Sequence, residues 1–300
     1  MNSGAQGAIE YLLIIGAAII VVAVVIVAIT TVSNSGDDQI GTVPSHANDP
    51  LKEASGNYIK ISNYYYPKTE LGQGLVGLWH FDEGSGTTTA DSSGKGNIGA
   101  LVNSPVWAGG RFGKALSFNG SFVNVGRGAS LNIPGDITLE AWVNPAGVLQ
   151  KSYAGIIVGR GPIEPPEYLG SGQSDYAMDI NGNPNGGGNW FRFNYFRSPN
   201  NWYDPASTLL AGIIPAGSWT QMVVTRNVSE GKLRYYKNGV LIETFSGYYA
   251  GDGQPNNSKV IGADTHQGVN GNYNGLIDEV AIWNRALSAS EIQTLYANSQ

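Results

Sequence analysis

From Leu12 to Ile29 the chain runs through 18 consecutive residues drawn only from Leu, Ile, Val, Ala and Gly. Continued as a helix from Tyr11 to Val32, the stretch reaches about 33 Å, enough to cross a bilayer. It exceeds the roughly 7 to 15 apolar residues of a removable secretory signal, and no Lys or Arg precedes Lys52. Residues 33–56 lose apolar periodicity and concentrate Ser, Asn, Asp, Gly and Pro, the composition of a polar stalk. Tyr58 to Pro67 (YIKISNYYYP) reads either as a short strand or as an aromatic pad on which a domain sits. These segments give a stalk and linker over 33–70 and a globular domain over 71–300.

Past Gly74 the apolar period becomes two. Ala115 to Val125 predicts two short strands around Asn119-Gly120, and Ile137, Leu139, Ala141 and Val143 alternate with Thr138, Glu140, Trp142 and Asn144. Trp219 to Val228 and Ile277 to Trp283 are strand-like as well. Within Leu233 to Thr244, Asn238-Gly239 supplies the pair of positive φ angles that a type I′ hairpin needs. The chain then switches pattern: Ser288-Ala289-Ser290-Glu291 is a capping box opening a short helix that ends near Asn298. Many short strands at regular turn spacing predict a mainly β sandwich or jelly roll.

Composition narrows the picture. The chain has no cysteine, so a domain of this kind is held by core burial and hydrogen bonds and not by disulfides. Its 42 Gly, 16 Tyr and 7 Trp suit a turn-rich β domain. A net charge of −6, with only 13% charged residues, argues against a nucleic-acid binder.

The edge of the apolar run is more specific than its length. Gln6-Gly7-Ala8-Ile9-Glu10-Tyr11 resembles the class III signal of archaeal type IV pilins and archaellin-like proteins. The resemblance implies cleavage by a prepilin-type peptidase between Ala5 and Gln6. Residues 1–5 are then a leader, and 6–32 a pilin-like or transmembrane helix on the mature chain. Glu10 becomes the fifth mature residue, where type IV pilins carry a glutamate. A carboxylate at the hydrocarbon boundary is costly unless neutralised, and the free α-amine of a neighbouring subunit can pair with it. The alternatives are that Glu10 complements the helix dipole and that the helix is a plain uncleaved anchor. Met1 to Ala5 lack the Lys or Arg usual in such leaders.

The remainder resembles the laminin-G-like, concanavalin A-like jelly-roll family. The likeness rests on LVGLWHFDEGSG from Leu75 with DSSG from Asp91, on GKALSFNG from Gly113, and on GLIDEVAIWNRALS from Gly275. It covers roughly Leu71 to Ala297. Many relatives hold a calcium ion, and the resemblance implies Asp82, Asp91, Asn97 and Asp278 as its oxygen donors here, with a structural role. Calcium takes about 6 to 8 oxygens, so backbone carbonyls or water would have to join them. The alternative is that these side chains only make turns and caps.

Catalysis has less support. Retaining glycosidases hold two carboxylates about 5 Å apart. On its own strand Glu140 stands alone, and the adjacent Asp278 and Glu279 are expected on opposite faces. His46, His80 and His266 show no ligand spacing. We therefore expect a protein that is not an enzyme. Candidate ligand contacts are the aromatic residues Trp202, Tyr203, Tyr248 and Tyr249, whose rings suit sugar stacking or protein anchoring. Asn119, Asn227 and Asn256 begin glycosylation sequons. The expectation is a cell-surface adhesion protein, with its jelly-roll head outside and carrying a carbohydrate or protein ligand. Its partners would be the membrane, further pilin subunits and the peptidase. A ligand-free structural pilin and a tethered glycan hydrolase are the rivals.

Overall fold

A computed structural model describes residues 55–62, 64–148, 155–160, 176–183, 188–197, 201–203, 213–247, 258–264 and 271–299. The expected N-terminal helix, with Ala5, Gln6 and Glu10, lies outside them. Among the described residues no helix is long and apolar enough to cross a membrane.

The described chain begins with a hairpin, β1 (Tyr58–Ile61) and β2 (Tyr64–Pro67). There follow β3 (Leu75–Trp79), β4 (Thr88–Thr89), β5 (Gly99–Val102), β6 (Val106–Gly109), β7 (Lys114–Asn119) and β8 (Phe122–Gly126). The middle holds β9 (Ile137–Pro145), β10 (Gly155–Arg160), β11 (Ala177–Asn183), β12 (Gly188–Arg197) and β13 (Asn201–Tyr203). Next come β14 (Thr220–Asn227), β15 (Lys232–Lys237), β16 (Val240–Ser246) and β17 (Lys259–Ile261). The short pair β18 (Ala263–Asp264) and β19 (Gly271–Asn272), the long β20 (Asn274–Trp283) and helix α1 (Ala289–Ala297) complete it.

Two antiparallel sheets carry the fold. One runs β16-β15-β14-β9-β20-β7-β6, with β3 also paired to β20; the other runs β13-β12-β11-β10-β17-β8-β5-β4. Alternating residues explain the main core between them. Ile137, Leu139, Ala141 and Val143 of β9 point inward and meet Phe191, Phe193, Met222, Val224, Ile277 and Ile282. The β sandwich read from the period of two is therefore the observed architecture.

Both strands expected around Asn119-Gly120 are present, but they do not pair with each other. β7 pairs with β20 and β6, whereas β8 pairs with β5 and β17, so this turn carries the chain from one sheet to the other. The Asn238-Gly239 turn does join partners: φ is 50° and 72° at its two residues, and β15 pairs with β16. Here glycine is required twice over, since a Cβ on Gly239 would also lie 2.7 Å from that of Tyr296.

A second core covers the outer face of the first sheet. Ile61, Tyr64 and Tyr66 of the hairpin join Leu71, Val223, Tyr236, Ala281, Trp283, Leu287, Ile292 and Leu295 there. Residues 58–70, expected as the end of the linker, include Ile61, Tyr64 and Tyr66 of the packed unit; Tyr58 to Pro67 is both strand and aromatic pad. The helix above them starts as expected. The Ser288 hydroxyl accepts from the Glu291 amide and the Glu291 carboxylate accepts from the Ser288 amide. Thr138 fastens the helix to β9: its hydroxyl donates to the Arg285 carbonyl at 2.8 Å and accepts from the Leu287 amide at 2.9 Å.

Candidate functional site

Strand β20 changes partner along its length. Val280–Trp283 pair with β3, while Asn274–Ile277 pair with β7, leaving Asp278 and Glu279 without a ladder partner on that side. On the β9 side the register slips between Asp278 and Ala281. Glu279 takes φ 50°, a bulge conformation uncommon outside glycine. Because Ile277 and Val280 both enter the main core, the two acids between them both turn outward. The expectation that they point to opposite faces is therefore corrected: strict alternation would drive Glu279 into an apolar core, and the bulge avoids that cost.

The carboxylates take over the missing ladder bonds. Asp278 Oδ2 accepts from the Phe112 amide at 3.0 Å, and Asp82 Oδ1 accepts from the Lys114 amide at 2.8 Å. Glu279 Oε2 accepts from the Ser62 amide at 2.8 Å, tying the hairpin to the sheet, and pairs with His80 Nδ1 at 2.9 Å. Ser62 and Phe81 also have left-handed backbones, so three strained non-glycine residues converge on this junction. On the adjacent β9, Glu140 Oε1 accepts from Gln221 Nε2 at 2.5 Å. Glu140 Oε2 and Asp278 Oδ1 have no partner among the described residues.

Electrostatics follow from this burial. Loss of solvent pushes the Glu140 carboxyl up to about 8, opposed by the Gln221 hydrogen bond and reinforced by Glu279. Burial and then the Glu279 charge push Asp278 up to about 9, against the Phe112 and Arg111 amides. For His80, burial alone would lower the imidazolium, but the charge and hydrogen bond of Glu279 outweigh it and raise it. At neutral pH Glu140 and Asp278 are therefore protonated, beside the hydrogen-bonded His80–Glu279 pair.

The four expected calcium donors do not form one ligand set. Asp91 Oδ1 accepts from the Leu78 and Ser93 amides and Oδ2 from the Asn97 amide, at 2.8 to 3.0 Å. The Asn97 side-chain amide donates to Asp91 Oδ2 and to the Val76 carbonyl. This clip consumes the lone pairs that a cation would need, while Asp82 and Asp278 brace the turn at residues 110–114. Among the described residues no three carboxylate or imidazole side chains are arranged to hold a metal ion. Melting in millimolar calcium and in EDTA is accordingly expected to give midpoints within about 1 °C, since only a ligand of the folded state raises stability. A rise of several degrees in calcium would show that the clip opens to bind it.

Other expected residues are scattered. Trp202 and Tyr203 lie on β13, in register with Phe196 and Tyr195 of β12. Tyr248, Tyr249 and Asn256 fall outside the described residues, as do His46 and His266. Asn119 is exposed at the end of β7. Asn227 ends β14 with its amide engaged by Ser229 and Glu230. A basic cleft between the hairpin and the 92–96 loop, bearing Lys68, Lys95 and Arg285, has no counterpart among the expected sites. Arg285 lies 217 positions from Lys68 and 190 from Lys95, and only the fold brings them together.

A laminin-G family model, described as the concanavalin A-like lectin/glucanases superfamily, matches residues 119–293. The chain belongs to the concanavalin A-like lectin/glucanases superfamily. No curated protein matches its sequence. Among solved structures, this superfamily member resembles domain 4 of AbnA, an extracellular GH43 arabinanase from Geobacillus stearothermophilus, in complex with arabinotriose. That likeness has a TM-score of 0.54 at 21% identity and covers 74% of this chain and 98% of that one. The binding domain of Paraclostridial Mosquitocidal Protein 1 gives 0.55 at 18% identity, over 76% of this chain and 52% of that one. A botulinum neurotoxin type C structure, concerned with cell entry through two ganglioside molecules, gives 0.54 at 13%, over 77% and 52%. The chain thus spans about half the length of these toxin structures, and at such identities the likeness establishes the shared fold.

Proposed function

We propose that this protein is a cell-surface binding protein whose jelly-roll head takes a carbohydrate or protein ligand. Residues 6–32 anchor it in the membrane or assemble it with further pilin-like subunits, after a prepilin-type peptidase removes residues 1–5. The observation that carries the binding reading is the fate of the carboxylates. Glu140, Asp278 and Glu279 come closest to a glycosidase constellation, yet each is at most 2% exposed beneath the hairpin and helix. Two are also protonated at neutral pH, whereas a retaining mechanism needs an ionised nucleophile open to substrate. This supports a head that is not an enzyme. Solved relatives of the fold lend weight to sugar as the ligand, since one holds arabinotriose and another enters cells through gangliosides.

On this reading Trp202, Tyr203, Tyr248 and Tyr249 stack on the ligand, and Asn119, exposed at the end of β7, accepts a glycan when the head is exported. Glycan-array profiling of the full-length chain in detergent tests the head: saturable retention of a saccharide is expected, and silence across the array leaves a purely structural subunit. Mass measurement of the mature chain tests the N-terminus. Loss of Met1 to Ala5 is expected, with filament recovery abolished by Glu10→Ala, and an intact N-terminus would leave a simple anchor.

A further inference from the structure

Between the hairpin and the 92–96 loop lies a cleft of about 670 Å³. Three cations line it, Lys68, Lys95 and Arg285, and among the described residues no carboxylate does. In a chain with 17 basic and 23 acidic residues, that local excess departs from the overall charge. Arg285 is held in place: its Nε donates to the Gln73 carbonyl at 2.7 Å, and its Nη2 to the Glu70 carbonyl at 3.1 Å and to Glu291 at 2.7 Å. Its Nη1 has no partner among the described residues, so a preset guanidinium edge is available to a ligand.

Lys68 and Lys95 are exposed, and neither makes an ion pair among the described residues. The amides of Gln73 and Asn284, also exposed, add donors and acceptors suited to hydroxyl groups. The half-buried Ile59 supplies the apolar side of the cleft, while Leu75 and Val76 at its base are buried in the two cores.

We infer that this cleft is a binding site for an acidic saccharide, its carboxylate or sulfate held by Lys68, Lys95 and Arg285 and its hydroxyls by Gln73 and Asn284. Charge-assisted hydrogen bonds to a fixed guanidinium and two ammonium groups favour an anion, and the amides favour a polyol over a bare inorganic ion. The inference rests on the binding-head reading and names the ligand class for it.

The test compares full-length protein in detergent against dextran sulfate and unmodified dextran, and against polygalacturonate and its methyl ester. Each pair shares a backbone and differs in charge, and the two acidic members separate sulfate from carboxylate. The acidic members are expected to bind more tightly, and Lys68→Gln/Lys95→Gln to weaken them by roughly tenfold or more while leaving any neutral binding unchanged. The control Lys232→Gln/Lys237→Gln removes equal charge from β15 and is expected to leave binding intact. Equal losses in both variants would mean attraction by net charge alone and would overturn the site. Binding of neutral polymers only would overturn the site and spare the binding head; silence towards all four polymers together with a silent array would end both.

Discussion

Glu140→Gln is expected to raise the melting midpoint at pH 9 by roughly 10 to 20 °C and to change it little at pH 4. The amide keeps the hydrogen bond from Gln221 and imitates the protonated acid that occupies the site. Below about pH 4.5, folded and unfolded chains both hold the Glu140 proton. Between that value and about 8 only the folded chain does, so wild-type stability falls as pH rises and then levels. The full difference is on the order of 5 kcal/mol, and about 2 to 4 °C of midpoint accompanies each kcal/mol in a domain of this size. Asp278 acts in the same direction up to about pH 9, and His80 loses its pairing charge as pH rises through its raised value. The domain is therefore expected to lose stability from pH 5 to pH 9. Equal midpoints for wild type and variant at pH 9 would show Glu140 to be solvated.

Trp283→Ala should cost about 3 to 5 kcal/mol, the range for emptying a buried indole site. The ring is fully buried in the second core, and its Nε1 donates to the Leu71 carbonyl at 2.6 Å. Losing it leaves a cavity under the hairpin and an unsatisfied carbonyl at its exit. Trypsin cleavage after Lys60 and Lys68 is expected to accelerate before the sandwich itself unfolds, because native proteolysis follows local opening. Trp283→Phe, which refills much of the space but cannot donate, should recover part of the loss. Unchanged cleavage in the alanine variant would mean that the second core does not hold the hairpin.

Much of the sandwich could be read from local rules. Asn238-Gly239 sets a hairpin through its own φ angles, Ser288 and Glu291 set a helix start, and β9 declares its inward face by alternation. Each is a short-range signal. The junction of acids was not legible because it depends on β20 changing partner from β7 to β3, a long-range event. One clue was present: Ile277 and Val280 are three apart, not two, and a strand that keeps both inside must bulge at Asp278-Glu279. The donors expected for calcium are placed apart for a related reason. A resemblance fixes which oxygens exist, but Asp91 and Asn97 had backbone amides closer at hand. The basic cleft gathers Lys68, Lys95 and Arg285 from three separated segments, and no local pattern announces that.

The central claim, a surface head that binds saccharide without transforming it, is tested most directly by one incubation. The full-length chain is mixed with a panel of neutral and acidic polysaccharides, and both retained protein and newly formed reducing ends are quantified at pH 5 and pH 7. The account predicts saturable retention with no reducing ends above the protein-free control. Release of reducing ends that scales with protein concentration would contradict it.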